Sequence, residues 1–319
     1  MLRFTVRRLI SMVFVLFAIS VLTFFIFNIM PAGGSDGTAL RIAGRNSNEV
    51  TRAQVKKDWG LDKPVYEQYW VMMKKTVNGD LIAYSNQTNV REELIRGIPR
   101  TASLVIGAGI IWLFFGILFG VISAVKAGHW QDRTITIVGI IGISLPVFWI
   151  AALMLYYLTY KVTWFPPGGY VELTTDPFQW AYHLVLPWIA LSILFIGFYS
   201  RLLRSNVLDT SNEDYVRTAR AKGLSENRVL ARHTLRNALI PIVTLFGLDF
   251  GAAFGGGAIL TESVFNLQGV GQYVADSVGS LDLPPILGTV LYGAFFIVLF
   301  NAIVDVLYAF LDPRIRLSA

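Results

Sequence analysis

Six long apolar runs alternate with polar stretches along the chain. They cover Leu9–Ile29, Thr101–Val125, Thr134–Tyr160, His183–Leu203, Leu239–Leu260 and Ile286–Phe310. A helix rises 1.5 Å per residue, so about 20 apolar residues match the ~30 Å hydrocarbon thickness of a bilayer. Each run reaches that length. The pattern predicts an all-α polytopic membrane protein with six transmembrane helices. Arg3, Arg7 and Arg8 precede the first run, which is 21 residues long. A cleaved leader has an apolar core of only ~7–15 residues, so this run is expected to stay as the first helix. Pro146 falls inside the third run. Membrane helices tolerate proline where neighbours satisfy the freed carbonyl, so that run is read as one span.

The polar stretches divide the chain further. Residues 1–30 form the N-terminus and first helix, and residues 31–99 form an insertion between spans one and two. Gly33–Gly34, Asp62–Lys63–Pro64 and Asn78–Gly79 mark turns within the insertion. Residues 100–310 hold spans two to six, with a polar loop at 204–238, and 311–319 are a tail. The insertion has too few apolar residues to be plainly an independent domain. A docking platform and a cap over the outer loops both remain open for it.

Charge sets the orientation. The N-terminus, the loop KAGHWQDR, the 201–236 segment and the tail together hold 15 Lys/Arg against 6 Asp/Glu. The other side holds 12 against 13, most of them within the long insertion, which weighs little in the positive-inside rule. Both termini and the 204–238 loop are therefore expected in the cytoplasm, and the insertion outside. Only 15% of the residues are charged and 54% are hydrophobic, far from the ~25% charge of a soluble domain. The chain has no cysteine, which excludes disulfides, a thiol nucleophile and a Cys-ligated metal. Its three histidines, His129, His183 and His233, are scattered, and no Ser/His/Asp grouping suggests a hydrolase. No catalytic, cofactor-binding or metal-binding residue is expected in this chain.

The loop at Asp209–Pro241 reads as helix–turn–helix. Ser211 or Asn212 can cap the first helix, with Glu213 and Asp214 on its positive first turn. Lys222 and Gly223 end it, glycine being free to take positive φ. Ser225 caps the second helix, with Glu226 just inside. Three readings apply: a solvated loop that sets topology, a nucleic-acid-binding helix pair, or a docking helix for a cytoplasmic partner. Tethering within two or three residues of a membrane span argues against nucleic acid.

The sequence of this loop carries a resemblance. DYVRTARAKG followed by RHTLRNALIP resembles the cytoplasmic loop of binding-protein-dependent ABC importer permeases, in the dipeptide/oligopeptide/nickel branch. That loop reads Glu-Ala-Ala, three residues, Gly, nine residues, Ile-x-Leu-Pro. Ala219, Gly223 and Leu235 hold the second Ala, the Gly and the Leu. Arg217, Thr218, His233 and Arg236 replace the Glu, the first Ala, the Ile and the Pro, as is usual in the peptide-permease branch. WGLDKPVYEQY, NGDL, REELIRGIPRTASL, GISLPVFW, WFPPGGY, GGAILTESVFNLQGVGQYVADSV and LYAFLDPRIR are similar to the same family, in the same order. Gln268 stands where the family commonly has Pro.

The resemblance implies the type I ABC importer permease fold in the inner membrane of a prokaryote. It implies a second homologous permease, two ABC ATPase subunits that bind ATP and Mg2+, and an extracytoplasmic solute-binding protein. Peptide is the implied cargo, with nickel or another metal chelate as the alternative; a non-transporting signalling or assembly protein is a further one. Residues 215–230 would form the coupling helix, with Tyr215, Arg217, Ala219, Lys222, Gly223, Leu224 and Arg228 at the ATPase contact. The chain has no GxxxxGK[ST] phosphate-binding loop, so hydrolysis is expected in the partners. Asp249 lies mid-span, where an exposed charge costs ~2.5–3.5 kcal/mol. It is a candidate pathway acid, with an interhelical contact near Gly251 and Gly255–Gly257 as the other reading. Glu262 carries the same pair of readings at the outer end of span five.

Overall fold

The computed structural model describes residues 2–30, 34–44 and 47–311. Helix is the only regular secondary structure among the described residues, apart from one isolated antiparallel bridge between Ile82 and Asn89. In chain order the helices are α1 (Leu2–Phe24), α2 (Gly34–Ala43), α3 (Glu49–Trp59), α4 (Val65–Asn78), α5 (Val90–Val125), α6 (Trp130–Ser144), α7 (Val147–Met154) and α8 (Pro177–Ser211). They continue with α9 (Asp214–Ala221), α10 (Glu226–Val229), α11 (Leu235–Ala238), α12 (Ile240–Ala252), α13 (Ile259–Phe265), α14 (Val270–Ser280) and α15 (Leu283–Leu311). Wider π-helical turns extend α1 over Phe25–Ile29, α7 over Leu155–Lys161, α10 over Leu230–Thr234 and α12 over Ala253–Gly257.

Among the described residues, five helical stretches are long and apolar enough to cross a membrane: Val6–Ile29, Val90–Val125, Pro177–Ser211, Ile240–Gly257 and Leu283–Val304. The third apolar run departs from the expected single span. It is two helices, Trp130–Ser144 and Val147–Lys161, bent by 99° at Pro146. Counted together they make the sixth span. The cause is local. Proline has no N–H to donate and pushes the preceding residue out of the helical region. Leu145 is extended (φ −89°, ψ 133°), and Pro146 (φ −62°, ψ 132°) becomes the N-cap of α7.

Two helices outrun their apolar cores. The second span was expected from Thr101, yet α5 starts at Val90, within the polar 31–99 stretch, and passes through Pro99. The fourth was expected over His183–Leu203, yet α8 begins six residues earlier and ends at Ser211. Its start is well specified: Pro177 occupies the first turn, and the Asp176 carboxylate accepts hydrogen bonds from the N–H groups of Phe178 and Gln179, both at 3.0 Å. Span five ends early, because Gly256 takes φ 130° and breaks the helix before α13. Residues 312–319, expected as the greater part of the tail, and Gly33 lie outside the described residues.

The described residues group into two compact units. One comprises those of 1–102 and 251–302. Here the insertion folds as three short helices around Ile42, Val55, Trp59, Met72 and Leu81, and its core is completed by Phe24, Val90, Leu283 and Leu287. The insertion thus shares its apolar interior with residues that flank it in sequence and with α15. Asn48 caps α3 by accepting from Thr51 N–H at 2.8 Å, and left-handed Gly60 and Gly79 close α3 and α4. The Asn78–Gly79 turn signal is this second cap.

The other unit comprises the described residues of 103–250 and 303–311. Its centre is α8. Trp112 of α5 is fully buried and stacks on Phe195 with centroids 4.4 Å apart. Ser192 donates to the Ala108 carbonyl at 3.0 Å, and Trp188 Nε1 donates to the Ser103 carbonyl at 2.9 Å. α6 runs antiparallel to α8 at backbone contact: a Cβ added at Gly197 would stand 2.5 Å from the Gly139 carbonyl oxygen. Small residues at such crossings permit close approach, which is the main source of helix association where no hydrophobic force operates.

Candidate functional site

The polar segment between α8 and α12 makes a tight excursion. Ser211 is the last residue of α8 and does not cap the next helix; nor does Asn212, which ends α8. Glu213 holds the N-cap position of α9 without a side-chain cap, and Asp214 begins the helix. The sequence expectation fails here because α8 runs on to Ser211, leaving only two residues for the connection. α9 ends at Ala221. Gly223 then takes φ +79°, its N–H bonding the Arg220 carbonyl at 2.9 Å. Ser225 is at the N-cap of α10, with Glu226 in the first turn, but its hydroxyl makes no cap bond.

A small apolar core holds the excursion. Val216, Ala219 and Val229 are buried together, with Leu224 packed against them. The polar side chains form a frame around it. Arg220 pairs with Glu226 at 2.9 Å and donates to the Ser211 carbonyl at 3.2 Å. Asn237 Nδ2 donates to the Tyr215 hydroxyl at 2.7 Å, and Asn206 Nδ2 donates to the Ala238 carbonyl at 3.3 Å. Of the residues expected at a partner contact, Tyr215, Arg217, Lys222, Gly223 and Arg228 are exposed. Ala219 is buried and Leu224 half-buried, so both lie inside the excursion and support its turn. Sequence reasoning missed Arg220, Asn237 and the valines. The three-residue spacing of Val216 and Ala219 on one helical face was the available signal.

The two candidate pathway acids lie in different units, each with its own hydrogen-bond partners. Asp249 on α12 is half-buried and accepts from the Tyr199 hydroxyl of α8 at 2.7 Å, and Tyr199 is fully buried. Gly251 and Gly255 approach α15 instead, at Phe300, Gly293 and Ile297. Glu262 on α13 has no exposed surface. It accepts from Thr101 Oγ1 at 2.7 Å and from Gln272 N–H at 3.0 Å, and Thr101 in turn accepts from Val270 N–H at 2.9 Å. Burial pushes the Glu262 carboxyl above its ordinary range, with these hydrogen bonds opposing. Its position is that of a knot tying α5, α13 and α14.

A third carboxylate was not singled out by sequence. Asp132, in the first turn of α6, is buried and receives a bidentate guanidinium from Arg204 of α8: Nε at 2.6 Å from Oδ1 and Nη2 at 2.8 Å from Oδ2. Ser123 donates to Oδ1, and Gly128 N–H donates to Oδ2 at 2.8 Å. No group of three His, Cys, Asp or Glu suited to a metal ion occurs among the described residues.

Comparison with known proteins gives these features a context. Residues 116–317 match the family of binding-protein-dependent transport system inner membrane components, and residues 1–105 match the N-terminal part of such components. The oligopeptide transport system permease protein AppB of Bacillus subtilis is 36% identical over 317 residues, covering 98% of this chain and 99% of its own. The glutathione transport system permease protein GsiC of Escherichia coli K12 is 35% identical, covering 99% of both. A putative peptide transport system permease protein of Brucella abortus is 32% identical over 97% of this chain and 98% of its own. In fold, the chain is similar to a membrane subunit from inward-facing structures of the MetNI methionine ABC transporter, with a TM-score of 0.52 and 17% identity, over 69% of this chain and 96% of that one. The chain is a multi-pass membrane protein and belongs to the family of binding-protein-dependent transport system inner membrane components.

Proposed function

We propose that this chain is the permease subunit of an ATP-driven importer for di- or oligopeptides. It would form the translocation pathway with a second, homologous permease. A solute-binding protein would deliver the peptide from outside, and two ATPase subunits holding ATP and Mg2+ would drive the cycle. The relatives named above are permeases for oligopeptides, glutathione and peptides, and this supports peptide as cargo. Both termini and residues 204–238 are cytoplasmic and residues 31–99 extracytoplasmic, on the charge distribution of the short loops.

The single observation that carries the coupling role is the α9–α10 excursion. It is compact, braced by its own apolar core and by Arg220–Glu226, and bears exposed Tyr215, Arg217, Lys222 and Arg228. A braced helix joined within two residues to the long α8 passes a partner's movement on without first having to order itself. The test is reconstitution of the complete complex with a labelled peptide. ATP-dependent uptake, with two P-loop subunits recovered alongside the tagged chain, is the expected result. A complex that hydrolyses ATP yet takes up no peptide of any length tried would reject the cargo assignment. Recovery of the chain without nucleotide-binding partners in several mild detergents would reject the coupling role.

A further inference from the structure

A groove of about 770 Å3 lies along the α6–α8 pair. Its wall at the end near the loops carries Arg133, Arg201 and Arg204, and its other end carries Ile137, Ile143 and Phe198. Against these three guanidiniums the groove's lining holds one carboxylate, Asp132. That carboxylate is already engaged in bidentate fashion by Arg204, by Ser123 and by Gly128. Arg133 and Arg201 therefore remain as cations exposed in the groove. The groove is thus basic at the end where the apolar run of α8 gives way to polar sequence, and aliphatic and aromatic further into the span. An occupant must be anionic at one end and apolar over the adjoining ten or so ångströms, a stretch of about one to two helical turns.

We infer that this groove holds an anionic phospholipid, its phosphate between Arg133 and Arg201 and its acyl chains along Ile137, Ile143 and Phe198. Charge separates this occupant from the other candidate, the first helix of a second copy of this same chain. That helix starts with Arg3, Arg7 and Arg8 and has no acidic residue before Asp36, so it would bring cations to cations. An anionic headgroup next to aliphatic chains satisfies both ends at once, as basic pockets between membrane helices do elsewhere. The inference goes beyond the proposed transport role. Only the choice of the cytoplasmic leaflet rests on the proposed orientation.

The experiment uses the intact complex, reconstituted with phosphatidylglycerol and phosphatidylcholine and then examined by native mass spectrometry. Wild type should retain phosphatidylglycerol through detergent washing. The Arg133→Gln/Arg201→Gln variant should retain about 30-fold less, from two phosphate-facing cations, while still recovering its ATPase partners. Lysine at both positions should restore most of the binding. Equal retention by the glutamine variant, or equal retention of phosphatidylcholine by wild type, would overturn the inference. A second measurement is independent of the arginine variants. Ile137→Cys, in a chain that has no other cysteine, should react more slowly with a maleimide in phosphatidylglycerol than in phosphatidylcholine. Efficient cross-linking of that cysteine to a second permease chain would place protein in the groove and reject the lipid.

Discussion

Gly223 offers the sharpest test of how the α9–α10 excursion works. Its φ is +79°, in the left-handed region, and a Cβ built there meets nothing within 4 Å. Substitution thus costs backbone conformation and no steric clash. For an L-residue that cost is about 1–2 kcal/mol, and a β-branched residue sits at the upper end or beyond. Asparagine tolerates the region and should lose far less. A penalty of 1–2 kcal/mol lowers the ratio of native to non-native turn by a factor of about 5–30. The turn sets the direction of α10 relative to α9 and the packing of Leu224 on Val216, Ala219 and Val229. Gly223→Val should therefore weaken ATPase docking and cut peptide-stimulated hydrolysis several-fold in proteoliposomes, with Gly223→Asn near wild type. Because the site is open, thermal unfolding of the membrane helices should barely change. Full uptake by Gly223→Val would refute the reasoning, and so would equal damage from Asn and Val.

Other outcomes follow from the packing. Arg204→Gln leaves the buried Asp132 carboxylate without its guanidinium; unpaired buried charges of this kind cost about 3–5 kcal/mol, so steric-trapping measurements of stability in bilayers should show a loss of that order. Gly197→Ala sets a methyl against the Gly139 carbonyl and should reduce the yield of folded protein more than Gly223→Ala does, a comparison read by size-exclusion profiles. Tyr273, on α14 outside the spans, is pushed up to about 12 by burial and by the nearby Glu93 carboxylate. The fold favours its neutral form, so stability holds below the ordinary tyrosine value near 10 and falls as pH rises from there towards 12. Tyr273→Phe should flatten that alkaline decline in Tm measured between pH 9 and 12, while a slope unchanged by the substitution would assign the decline to other groups.

Much of the architecture could be read from run lengths, because an apolar run long enough to span a bilayer has few other uses. What run length marks is the bilayer, not the helix. α5 and α8 extend into polar sequence because backbone hydrogen bonding continues past the membrane edge, and so Val90 and Ser211 were misplaced. Pro146 was legible as an interruption, but whether a proline kinks a span or breaks it depends on what surrounds the freed carbonyls. The turn at Gly223 was legible because its cause is local. Asp132 was not, since its partner lies 72 residues away and no local pattern joins the two. Ala219 fits the family's loop pattern, yet its side chain faces inward, which a motif does not reveal.

The α6–α8 pair has a mechanical consequence. It is fixed at Asp132–Arg204, at Gly139–Gly197 and at Gly142–Ile193, three points in antiparallel register along one seam. Shear between packed helices needs side chains that can slip to new neighbours. Here the middle point is bare backbone, and the end point is a two-pronged ion pair with a single workable alignment. The pair can tilt or swing as one strut, but its two members cannot ratchet past each other. If α9 is the coupling element proposed above, a stroke entering there would be conveyed as rotation, with travel at the far end that scales with distance from the pivot.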